Sequence, residues 1–154
     1  MQISTLLSPQ AIRVVNVMTS KKRLFVELGD MAFATYGLPA TRTVEALTER
    51  ETLGPTAVGH GIALPHARMD ETEKLCGLFL RIERPMDFDS ADRKPVDLVF
   101  ALFAPTAAGV EHLKALALVS RTLRDAELCA KLRANDDPAI LHAMLTEASA
   151  SKAA

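Results

Sequence analysis

The stretch GHGIALPHAR, residues 59–68, places His66 directly after a proline in a chain that holds only four histidines. A residue before proline is pushed out of the helical region and proline restricts its own φ, so Leu64-Pro65 reads as a rigid, extended exit from a strand. His66 is then a side chain held on the loop beyond it. An imidazole titrates near neutrality, with an unperturbed pKa of about 6.5, so one ring nitrogen can present a lone pair while the other donates a hydrogen bond. General base, metal ligand and covalent nucleophile are the chemical uses open to it, beside the plain one of a solvated loop residue.

A metal site needs three or four ligands. His60 and His66 are six positions apart, about 20 Å on an extended strand at about 3.3 Å per residue, too far to share an ion unless the glycines fold the segment back. A hydrolase would want an activated serine or cysteine, and no G-x-S-x-G elbow or reactive-looking cysteine supplies it. No Walker A loop or G-x-G-x-x-G offers a nucleotide cradle, so no cofactor is expected. Cys76 and Cys129, without CxxC spacing, read as small buried hydrophobes in a reducing compartment.

The elements that must position His66 follow from periodicity. Val14–Val17 is a possible short strand. From Ser20, apolar residues at Leu24, Phe25, Leu28, Met31 and Ala32 mark an amphipathic helix ending near Tyr36-Gly37. Pro39 opens a second helix to about Thr52, where Gly54-Pro55 stops it. Gly61–Leu64 and Leu75–Ile82 read as strands. The run VDLVFALFA, residues 96–104, is almost continuously apolar, which suits a central strand covered on both faces. Helices to cover it come from a stripe at Leu113, Leu116, Ala117, Ser120 and Leu123, from Ala126–Arg133, and from a last one opened by Asp137-Pro138. The class is α/β, a sheet buried between helices.

The 154 residues suit one domain, here 1–148, followed by a loose Ala/Ser-rich tail at 149–154. With 49% hydrophobic and 24% charged residues and a net charge of -1, the chain reads as a globular protein with no basic patch for nucleic acid. No apolar run approaches the roughly 18 residues of a membrane span, and the start lacks a signal-peptide pattern. A cytoplasmic protein is expected.

The segment TERETLGPTAVGHGIALPHAR, followed by KPVDLVFALFAP and then HLKALALVSRTL, resembles enzyme IIA of the fructose/mannitol class of the bacterial phosphotransferase system, most nearly its nitrogen-regulatory branch. The resemblance runs from the helix at Ser20 to about Leu145. It implies a mixed β-sheet flanked by helices and a phosphocarrier in which His66 accepts a phosphoryl group from HPr or its nitrogen-branch counterpart. It also implies that Arg50 and His112 contact the phosphoryl oxygens and assist transfer, and that Thr56 donates its hydroxyl. Phosphoryl transfer asks for this: a positioned nucleophile and donors aimed at three charged oxygens.

On residue type alone, Arg50 reads as a solvated arginine between Glu49 and Glu51, and His112 as a solvated helix-surface histidine. Relatives usually read Ser-Thr-Gly where this chain has Pro55-Thr56-Ala57, and alanine disfavours positive φ at that place. His60 and His142 read as structural. The alternatives to a nitrogen-type regulator acting on an unidentified target protein are a sugar-transport IIA subunit that passes phosphate to a IIB partner, and a binding module that has lost transfer.

Overall fold

VDLVFALFAP, now bounded as β6 (Val96–Pro105), is buried on both alternating sides along nearly its whole length, so layers must cover the sheet above and below. The computed structural model describes residues 1–153, and among them the chain forms six helices and six strands. The strands are β1 (Leu7–Val15), β2 (Ala57–Gly59), β3 (Ile62–Ala63), β4 (His66–Met69), β5 (Cys76–Met86) and β6. They form one mixed sheet in the order β1-β5-β6-β3-β2, with β4 also pairing β6. β5 runs antiparallel to β6, whereas β1 is parallel to β5 and both β3 and β4 are parallel to β6. This is the mixed sheet between helices that the resemblance implies.

The helices are α1 (Ile3–Leu6), α2 (Lys21–Tyr36), α3 (Ala40–Glu51), α4 (Val110–Leu123), α5 (Ala126–Arg133) and α6 (Pro138–Ala153). α2 packs on α3 as one layer, and α4, α5 and α6 pack on one another with α1 as a second. Ser20 caps α2 by accepting from the Arg23 amide at 3.1 Å, and Gly37 ends it at φ 72°. Phe79, Phe88, Phe100 and Phe103 are fully buried and fill the core. His142 bonds to the Leu7 carbonyl at 2.9 Å, tying α6 to β1. No described helix is long and apolar enough to cross a membrane. α6 takes in the stretch read as a tail as far as Ala153, and Ala154 lies outside the described residues.

Two strands depart from the sequence pattern. β1 begins at Leu7, well before Val14, and its pairing with β5 is irregular between Leu7 and Ile12, around Pro9. Proline removes a ladder donor, so the strand is interrupted where the pattern would have signalled it. β4 begins at His66 itself. Ile62 sits opposite Leu98 and His66 opposite Leu102, the same offset on both sides of Pro65, so β3 and β4 follow one track along β6. The Pro65 carbonyl accepts from the Leu102 amide at 3.0 Å and keeps that track joined. His66 therefore stands on a registered strand and not on a loop.

Candidate phosphoryl-transfer site

His66 is half-buried, and its Nδ1 lies 2.8 Å from the Leu64 carbonyl oxygen. A carbonyl only accepts, so Nδ1 carries the proton and Nε2 of the neutral ring keeps the lone pair. Burial lowers the pKa of His66 below its ordinary value; the Leu64 bond opposes this, the Arg50 charge adds to it, and Glu51 opposes it. Near pH 7 the ring is neutral, the state a nucleophile needs.

β4 alternates: Ala67 and Met69 point into the core, while His66 and Arg68 share the open side. Arg68 Nε donates to His112 Nδ1 at 3.3 Å. A guanidinium has no acceptor, so His112 Nδ1 is bare and the proton of that ring sits on Nε2. That Nε2 is buried and has no hydrogen-bond partner. Burial, with the neighbouring His66 and the Arg68 charge, pushes the His112 pKa down to about 4. The two imidazoles meet edge to face, with centroids 5.5 Å apart and planes at 74°. A buried N–H with nothing to donate to, beside a ring with a free lone pair, is an arrangement waiting for an acceptor.

The two rings share a cleft of about 590 Å³ with Arg42, Arg50 and Arg68. Arg50 comes from the last turn of α3, where its Nη1 donates to the Gly54 carbonyl at 3.1 Å. Among the described residues neither Arg50 nor Arg68 has a carboxylate within 4 Å, so both guanidinium groups are open to an anion. Leu53 and Leu113, exposed to 82% and 63%, stand at the mouth. Among the described residues no group of three or more His, Cys, Asp or Glu could hold a metal ion.

His66, His112 and Arg50 are thus brought to one cleft; Thr56 is not among its lining residues. Its hydroxyl donates to Glu51 Oε1 at 2.6 Å and its amide to Glu51 Oε2 at 3.0 Å. Lys21 Nζ completes the set 3.0 Å from Glu51 Oε2. This network ties the end of α3, next to Arg50, to the entry of β2. Ala57 lies in β2 opposite Ala63 and is not among the residues with positive φ, so the glycine of relatives is not required here. His60 occupies the β2–β3 turn at φ 56°.

Sequence reasoning missed Arg68 and Glu51. Arg68 is two positions past His66, the spacing that puts both on one side of a strand, and reading β4 as a strand would have found it. Glu51 looks solvated in the run Glu49-Arg50-Glu51, and only the packing of α3 against the following loop buries it.

Residues 5–148 match the family described as phosphoenolpyruvate-dependent sugar phosphotransferase system, EIIA 2. The chain is 46% identical to a nitrogen regulatory protein of Bradyrhizobium diazoefficiens over 145 residues, covering 94% of this chain and 95% of that one. Among solved structures it is similar to nitrogen regulatory protein IIA-Ntr from Neisseria meningitidis, with a TM-score of 0.87 and 33% identity over 94% of this chain and 99% of the other. It shares its fold with IIA mannitol of Escherichia coli, at a TM-score of 0.77 and 19% identity over 90% and 97% of the two chains. A cleft with one nucleophilic imidazole and donors for an anion agrees with these likenesses, and the chain belongs to the EIIA type-2 family of the phosphotransferase system.

Proposed function

We propose that the protein is a phosphocarrier of the nitrogen-type phosphotransferase system that receives a phosphoryl group on His66 Nε2 from the phosphohistidine of an HPr-type carrier. The observation that carries the reading is the Leu64 carbonyl bond at 2.8 Å, which leaves Nε2 as the free nucleophilic atom. The P–N bond to the carrier breaks as a P–N bond to Nε2 forms, so the carrier ring regains its lone pair. His66 Nδ1–H becomes more acidic as Nε2 is loaded, and the Leu64 carbonyl already accepts it. Arg50 and Arg68 meet the phosphoryl oxygens and balance their charge, and the Nε2–H of His112, buried in the unloaded site, joins them by a shift of its ring. Thr56 acts one step back, through Glu51, by holding the loop beside Arg50.

The family match over residues 5–148 supports a carrier domain at 1–148, with the remaining residues outside it. The carrier docks on the apolar mouth around Leu53 and Leu113. Working in the cytoplasm, the protein signals to a regulatory target by the roughly 1.5 to 2 negative charges that a phosphoryl group adds to this face.

The test is incubation with phosphoenolpyruvate, enzyme I and an HPr-type carrier, followed by intact-mass measurement. Wild type gains one acid-labile phosphoryl group and His66→Ala gains none. A labelled His66→Ala protein, or an unlabelled wild type, overturns the assignment. Rapid onward transfer to a sugar-specific IIB, with one and the same set of bound proteins before and after phosphorylation, would make the protein a transport subunit instead.

A further inference from the structure

A second cavity, of about 830 Å³, is larger than the His66 cleft and shares none of its lining residues. It lies at the other end of α4, between Ser120, Leu123 and Arg124, the β2–β3 turn, the start of β6 and α5. His112 is in the first turn of α4 and Arg124 caps its far end, so the helix separates the two sites.

One wall of this cavity is rigid. Arg133 forks onto Asp97, with Nε at 2.8 Å and Nη2 at 2.9 Å, and Nη2 also reaches the His60 carbonyl at 2.9 Å. A Cβ at Gly61 would come within 2.6 Å of that Nη2, so the wall closes only over glycine. The Asp97 and Arg133 charges cancel. Lys94 and Arg124 then remain, both exposed; Asp92 Oδ1 accepts from the Lys94 backbone amide at 3.1 Å, and among the described residues no carboxylate lies within 4 Å of either side-chain cation. Below them the lining is apolar, with Ile62, Pro95 and Leu123.

The turn presents a further polar group. Both central residues have positive φ, His60 at 56° and Gly61 at 80°, a geometry that glycine, asparagine, aspartate and histidine adopt more than other residues. The chain carries an imidazole there, and His60 lines the cavity. Its backbone amide is held by Asp92 at 2.9 Å, so the ring is presented from an anchored turn.

We propose that this cavity binds a small organic dianion with an apolar body, its charged ends on Lys94 and Arg124 and its body against Leu123 and Pro95. The volume is that of small-molecule sites, which are apolar with a few placed polar groups. Arginine suits a planar carboxylate, and an apolar lining gives a bare inorganic anion nothing to bury.

Phthalate is the probe, titrated into the full chain and followed by amide NMR, with dimethyl phthalate and inorganic phosphate as comparisons. Phthalate should saturably shift Gly59, Gly61 and Cys129, and both comparisons should bind more weakly. Arg124→Gln and Lys94→Gln, at exposed positions that leave the core untouched, should each weaken phthalate roughly tenfold. Phosphoryl acceptance at His66 should be unchanged in both variants, which separates this site from the carrier reading. Several results overturn the proposal: no saturable shift, shifts confined to the His66 cleft, undiminished binding by the two variants, or either comparison binding as tightly as phthalate.

Discussion

Arg68 Nε and His112 Nδ1 meet at 3.3 Å, so a strand residue sets the tautomer of a helix residue 44 positions further along the chain. The ring beside the nucleophile thereby keeps its proton on Nε2, the nitrogen that has no other partner. Arg68 is as much a director of His112 as a source of charge.

Arg68→Met should release that tautomer. Nitrogen-15 spectra of the labelled imidazole should show His112 moving from a pure Nε2–H form to a mixture, and transfer should slow roughly tenfold or more. An unchanged tautomer with an unchanged rate would reduce Arg68 to a surface charge.

Arg50→Ala and His112→Ala should both fold and both slow phosphoryl acceptance. Removing one preorganised donor costs roughly 3 to 4 kcal/mol in a dry site, and an open cleft lowers that to about ten- to a hundredfold in rate. Stopped transfer assays with the purified carrier measure it, and wild-type rates in both variants would remove them from the site.

Glu51 carries Lys21, the Thr56 hydroxyl and the Thr56 amide on a side chain only 8% exposed. Glu51→Ala leaves the Thr56 hydroxyl and amide unpaired and Lys21 with Asp89 alone, and should destabilise the fold by about 2–3 kcal/mol in urea denaturation. Thr56→Val, which loses one of the three bonds, should cost about 1 kcal/mol. Equal losses in the two variants would mean that the carboxylate is not the hub.

The histidine pair gives the stability a pH slope with a definite sign. His112 titrates near 6.5 unfolded and at about 4 folded, and His66 is lowered too, so between these values the unfolded chain binds protons that the native chain does not. The stabilisation is fully present above about pH 6.5 and is lost as pH falls toward 4. Urea midpoints measured across that window should fall with pH in the wild type and fall less in His112→Gln. Phosphoryl acceptance should fall off at a lower pH than the titration of a free imidazole would set, because burial lowers the His66 pKa.

How much of this was legible beforehand depended on whether a residue's role was local. α2, α3 and β6 were readable because their apolar periods are long and their caps sit next to them in the chain. The resemblance, carried by a rigid, short motif, named His66, Arg50 and His112, and the fold brings these three to one cleft. β4 was not, because Pro65 looks like the end of a strand when its neighbours are read without β6, and Arg68 was lost with it. Glu51, the partner of the Thr56 hydroxyl, was hidden for another reason: its burial is made by a loop folding back on α3, which no period in the sequence records.

β4 has β6 as its sole strand partner in the described sheet, and β6 follows it in the chain. On the ribosome His66 therefore emerges before the strand that registers it, and His112 emerges later still. A nascent chain exposes the His66 imidazole without its hydrogen-bonded frame until β6 has emerged. With His66 as the acceptor proposed above, a chain truncated before β6 should take no phosphoryl group from the carrier.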